Sequence, residues 1–77
     1  MLVKLSGGIG MSVLSQRLKR EREKAGLTQK QVAEQINVTR AAYTQYETDK
    51  CSPSLDILVK LADLYKCSID FLVGRYN

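Results

Sequence analysis

From Ser12 to Gly74 the chain alternates apolar and polar positions at helical spacing almost without a break. Leu14, Leu18, Arg22 and Ala25 fall three or four residues apart on one face, and Arg17, Lys19, Arg20, Glu21, Glu23 and Lys24 fill the others. Ser12 can cap the start, and Gly26 tolerates the left-handed conformation that ends helices, so the spacing predicts a first helix over residues 13–25. Thr28-Gln29-Lys30-Gln31 has the T-x-x-Q form of a capping box, which satisfies two amides at the start of a second helix. Val32, Ala33 and Ile36 form that helix's inner face, and Asn37 closes it. Thr39 caps a third helix, running to Glu47, with Ala42, Tyr43 and Tyr46 on one side.

After a loop at Cys51-Ser52-Pro53-Ser54, where proline holds its predecessor extended, Ser54 caps a fourth helix. Asp56 sits favourably in its first turn, and Leu55, Leu58, Leu61, Ala62 and Tyr65 form its apolar stripe. Ser68 and Asp70 repeat the start signal for a short fifth helix through Phe71 and Leu72, which Gly74 stops. No segment reads as a strand, a repeat or a coiled-coil heptad run. The expected fold is a single all-α, five-helix domain over residues 11–77. Residues 1–10 stand apart. They are glycine-rich and aperiodic and precede a second methionine, Met11, so they read as a flexible arm or leader.

Tightness of one connection gives the pattern its meaning. The second and third helices are joined only by Asn37-Val38-Thr39, too short for antiparallel stacking and suited to the steep crossing of a helix-turn-helix. Small Ala33 allows close approach, Val38 plugs the corner, and Asn37 occupies a turn position that favours positive φ. With Tyr43 and Tyr46 turned inward, Arg40, Ala41, Thr44 and Gln45 project together from the third helix. Arginine can pair with guanine O6/N7 and glutamine with adenine N6/N7, and Ala or the Thr methyl can meet the methyl of thymine. A solvated helix face would carry similar residues, so the turn is what makes this set informative.

Composition agrees with such a partner without demanding it. The 77 residues carry a formal charge of +4, from 12 basic and 8 acidic side chains, which suits a polyanion. The chain has no histidine, and its two cysteines, Cys51 and Cys67, lack ligand spacing. No metal site, cofactor or small-molecule ligand is therefore expected, and free thiols fit a cytoplasmic setting. No apolar run approaches the roughly 20 residues needed to span a bilayer. Enzymatic activity is not expected either. No nucleophile lies beside a base, no paired carboxylates share a plausible pocket, and Ser6-Gly7-Gly8 is not a phosphate-binding loop.

In ordered spacing the sequence resembles the phage-repressor-like (Xre/Cro) helix-turn-helix domains of bacteria and their viruses. The matching residues are Leu18-x-x-x-Arg22, Ala25-Gly26-Leu27-Thr28-Gln29, Val32-Ala33, Ile36-x-Val38-Thr39-Arg40, Tyr46-Glu47, Pro53-Ser54-Leu55, Leu61-Ala62 and Ser68-Ile69-Asp70-x-Leu72. The likeness spans residues 13–74. It implies a lambda-repressor-like fold and a transcriptional regulator, most often a repressor, that binds an inverted-repeat operator in double-stranded DNA as a homodimer.

It further implies that Thr39 and Arg40 begin the reading helix, that Thr44 and Gln45 face the groove, and that Gln29 touches phosphate and braces that helix. Lys50 would contact the DNA backbone, and Arg22 and Glu47 would form a partly buried ion pair. Tyr43 has two open roles: a core residue, or a phenol that emerges to a phosphate. Asn37 and Asp49 replace glycines usual in the family, although both residue types tolerate the left-handed region. For the dimer interface the candidates are Ile69, Phe71, Leu72, Val73 and Tyr76, which offer more apolar surface than one short helix can bury within the chain; the alternative is that Ile69 and Leu72 complete the core and the rest is scattered exposure. An adaptor that binds protein through the same fold is the alternative, opposed by the absence of acidic residues from Thr39 to Tyr46.

Overall fold

A computed structural model of the chain describes residues 12–75. The arm expected over residues 1–10, the start at Met11 and the interface candidate Tyr76 lie outside the described residues. Five helices follow one another: α1 (Val13–Ala25), α2 (Gln29–Ile36), α3 (Arg40–Glu47), α4 (Leu55–Tyr65) and α5 (Ile69–Val73). Each begins with a Ser or Thr whose hydroxyl accepts a backbone N–H at the third helical position: Ser12, Thr28, Thr39, Ser54 and Ser68. Thr39 is thus the cap of the third helix rather than its first residue. At Thr28 the box is reciprocal, because Gln31 Oε1 accepts the Thr28 N–H at 2.8 Å.

Helix ends are equally regular. Gly26, Asn37, Lys66 and Gly74 all adopt positive φ, and the residue after each donates back to a carbonyl in the helix's last turn. Asn37, at φ 62°, makes the turn between α2 and α3, with the Val38 N–H on Ala33 O at 2.9 Å. Gly74 is needed twice over: its φ is 81°, and a Cβ there would meet Val13 Cγ1 at 2.8 Å.

Leu18, Val32, Ala33, Ile36, Tyr43, Tyr46, Leu61, Ala62, Tyr65 and Leu72 form one buried core drawn from all five helices. α3 packs on α2 and α1, and α5 packs on α1 and α4. Two expected core positions are exposed instead. Ala25 ends α1 in solvent, and Leu55 is 67% exposed because it occupies the first turn of α4, ahead of Ile57, which packs against the core. Ser15 is buried in spite of its hydroxyl, which donates to Ser12 O at 3.0 Å and so brings no unmet polar group into the interior.

Leu72 cannot belong to an interface with another molecule. It is fully buried in this chain's own core, so it completes the core and drops out of the interface candidates. Ile69, Phe71 and Val73 are half-buried, and Phe71 lies under the Arg17 guanidinium, 4.4 Å from its ring centre. The large apolar side chains left exposed among the described residues are Val13, Leu55 and Val59.

Candidate nucleic-acid interface

The inner face of α3 sits on a polar layer that also sets how its outer face is presented. Glu47, at the last turn of α3, is 3% exposed. Arg22 of α1 reaches it with two nitrogens, Nε to Oε2 at 2.7 Å and Nη2 to Oε1 at 3.2 Å. A third nitrogen of the same guanidinium, Nη1, donates to Leu27 O at 3.0 Å. A planar fork of five N–H donors suits this double task, which a lysine could not perform. Gln29, the first residue of α2, donates from Nε2 to Glu47 Oε1 at 3.1 Å and accepts from Thr44 Oγ1 at 2.9 Å. One carboxylate thus ties together α1, α2 and α3.

Burial by itself pushes the Glu47 carboxyl upward, but the hydrogen bonds from Arg22, Tyr43 and Gln29 outweigh it and hold the group below its ordinary value. The hydrogen bond to Glu47 in turn raises Arg22 above its own. Tyr43 is fully buried, and its phenol oxygen lies 2.8 Å from that of Tyr65 on α4. Burial and the bonds to Tyr65 and Glu47 push its pKa far up, so the phenol stays protonated. The phosphate contact considered for Tyr43 is therefore ruled out: its hydroxyl is committed inside the core. Among the described residues no buried side-chain nitrogen or oxygen lacks a partner.

On the opposite side of α3, Arg40, Ala41 and Gln45 are exposed and Thr44 is half-buried. Together with Gln29, Thr48 and Lys50 they line one shallow open concavity. No carboxylate contributes to that lining, and Arg40 and Lys50 make it cationic. Arg40 also borders a second hollow with Arg22, Leu27, Thr28, Gln29 and Lys30, which extends the basic rim across the start of α2. The Thr39 hydroxyl accepts the Ala42 N–H at 3.1 Å. In the loop after α3, Asp49 has φ 64°, and the Lys50 and Cys51 amides both close on Gln45 O.

The sequence did not show Thr48 as part of this face, nor the hydroxyl partnership of Tyr65, which it placed only in the apolar stripe of the fourth helix. Thr48 lies one helical turn beyond Thr44, so extending the 44–45 face by four would have found it. The partnership of Tyr65 with Tyr43 left no local trace, since it spans 22 residues.

A family model described as Helix-turn-helix (HTH_3) matches residues 18–72. The chain is 45% identical over 62 residues to the HTH-type transcriptional regulator ImmR of Bacillus subtilis (strain 168), a match covering 80% of this chain and 49% of the relative. It is 36% identical over 63 residues to the cryptic phage CTXphi transcriptional repressor RstR of Vibrio cholerae serotype O1, with 82% and 56% covered. The chain thus spans about half the length of these two relatives. Among solved structures, the P22 c2 repressor, crystallised with synthetic operator 9T, overlays with a TM-score of 0.77 at 24% identity, covering 82% of this chain and 96% of that one. At that identity the overlay speaks for the fold, an all-α helix-turn-helix arrangement.

Proposed function

The chain belongs to the Xre-like helix-turn-helix family, and from that premise we propose that it is a sequence-specific transcriptional regulator that represses by occupying an operator. α3 enters the major groove of double-stranded DNA. Arg40, Ala41, Thr44 and Gln45 meet base edges, while Gln29, Thr39 and Lys50 hold the phosphates on either side. The observation that carries this reading is the cation-lined concavity over the outer face of α3, free of carboxylates, above a helix fixed from behind by Glu47. Bidentate and methyl-bearing side chains in that position match what base pairs offer in the major groove. The flanking cations match the phosphate contacts that supply much of the affinity.

The complementary half of the proposal is a homodimer on an inverted repeat, since one such domain reads only a few base pairs and half-sites lie about one helical turn apart. Exposed Leu55 and Val59 and half-buried Ile69, Phe71 and Val73 supply apolar surface for it. No catalytic step, cofactor or small ligand enters this role, and its setting is the cytoplasm of a bacterial cell.

Selection of bound duplexes from a random DNA library by the purified protein tests this directly. A short motif repeated with two-fold symmetry is expected, with binding that loosens steeply as salt rises. Failure to enrich any motif would overturn the regulatory reading, and enrichment of an unrepeated motif would overturn the dimer.

A further inference from the structure

The buried carboxylate beneath α3 dictates the direction of the hydrogen bonds above it. An ionised carboxylate can only accept. Gln29 must therefore turn its amide nitrogen to Glu47 Oε1, 3.1 Å away, because an amide oxygen there would face a negative charge. Its carbonyl oxygen is left for Thr44 Oγ1 at 2.9 Å, and that oxygen also only accepts. The threonine hydroxyl has a single proton, and this contact commits it inward. Toward the concavity Thr44 has lone pairs and a methyl group to show, while Gln29 keeps one amide hydrogen. A threonine on an unconstrained helix face could donate or accept as its partner required. Here the chain Glu47–Gln29–Thr44 removes that choice.

We propose that Glu47, acting through Gln29, makes Thr44 an obligate hydrogen-bond acceptor on the reading face, so that the base it meets carries an exocyclic amine: adenine through N6 or cytosine through N4. Guanine O6 and N7 and thymine O4 are acceptors in the major groove, and opposite Thr44 they would set lone pair against lone pair. This inference rests on the DNA-reading role proposed above and deepens it by naming the base chemistry at one position. Thr44 is the residue that touches the base. Gln29 and Glu47 are positioning residues whose effect passes through it.

The test begins with library selection by the wild type and by Thr44→Val, which keeps the shape of the side chain and drops the hydroxyl. One motif position, adenine or cytosine in the wild type, is expected to lose its preference in the variant. Replacing that base by its amine-free analogue (purine for adenine, 2-pyrimidinone for cytosine) should weaken wild-type binding about threefold to tenfold, the worth of one hydrogen bond. Thr44→Val should not respond to the analogue, and Thr44→Ser should respond as the wild type does. Gln29→Met, which removes the amide while keeping its length, frees the Thr44 proton. The same position should then also admit guanine or thymine, an effect that a merely structural role would not produce.

A wild type that tolerates the amine-free base, or a Thr44→Val variant that keeps every preference, would overturn the inference while leaving DNA reading intact. Uniform weakening by Gln29→Met with no change of preference would overturn the positioning role of the amide. A wild type that selects no motif would remove both readings together.

Discussion

Around α3 the structure buries polar side chains and gives each of them a partner; α5 is anchored on a buried leucine, with the Arg17 guanidinium donating to Phe71 O and lying over the Phe71 ring at its edge. Glu47, Arg22, Gln29, Thr44, Tyr43 and Tyr65 lock α3 through directed bonds at 2.7–3.2 Å. Leu72, by contrast, is held by contact alone, with Gly74 closing on Val13 at the end of the helix. The two devices serve different ends. Apolar burial is non-directional and supplies most of the stability. A buried polar network adds little net stability for its size, but it permits few geometries. Directed bonds therefore lie under the helix proposed to read DNA, a role that needs its outer face at a fixed angle and rotation.

The largest loss is expected at α5. Leu72→Ala should cost about 3–4 kcal/mol in denaturant melts, as removal of a fully buried leucine usually does. A loss below about 1 kcal/mol would mean that the core collapses around the gap. For the fraction that stays folded, sequence preference should be unchanged.

Arg22→Ala comes next, at about 3 kcal/mol, since it strands Glu47 in the interior without its charge partner. Its pH signature separates it from Leu72→Ala. The folded state holds Glu47 below its ordinary value of 4.5, so the stabilisation is complete above that value and is lost as pH falls through the lower, folded one. Acid melts of the wild type and of Leu72→Ala should both show this fall, and Arg22→Ala should show much less of it. Equal acid slopes in all three proteins would remove Glu47 as the cause.

A milder cut is Tyr65→Phe, which deprives the Tyr43 hydroxyl of its partner on α4. About 1–2 kcal/mol should be lost, with a small general loss of DNA affinity as α3 loosens. Burial pushes the Tyr65 phenol up to about 12, so the wild-type bond should survive well above pH 10 in a spectroscopic titration of the tyrosines. The smallest effect expected is a gain. Lys66 ends α4 at φ 56°, a conformation that glycine adopts freely, so Lys66→Gly should raise stability by about 0.5–1 kcal/mol. An unchanged melting temperature would mean that the lysine side chain contributes a contact of comparable size.

The same contrast explains what could be read from the sequence. Caps at Ser12, Thr28, Thr39, Ser54 and Ser68 and stops at Gly26, Asn37 and Gly74 act within a few residues, so spacing alone located all five helices. The outer face of α3 was legible for the same reason, because burying Tyr43 and Tyr46 fixes where Arg40 and Gln45 point. Partnerships that close only in three dimensions were legible only where the family resemblance supplied them, as for the Arg22–Glu47 pair and for Gln29 bracing α3. Nothing near Tyr43 announces that Tyr65 will take its hydroxyl, and nothing near Thr44 announces that Gln29 will take its proton. For Leu72 the sequence left both an interface and a core role open, and the packing of α5 on α1 and α4 leaves it fully buried in the core. Lys66 was missed because lysine gives no sign of a left-handed residue, where Asn37 and Gly74 do.

Whether α3 reads DNA is decided by the affinity of Arg40→Ala and Gln45→Ala for the duplex that the wild type selects, beside an unrelated duplex. Each variant should lose about 1–3 kcal/mol on the selected duplex and keep its affinity for the unrelated one, with melting temperatures unchanged. Wild-type affinity in both variants on the selected duplex would mean that α3 is not the helix that reads DNA.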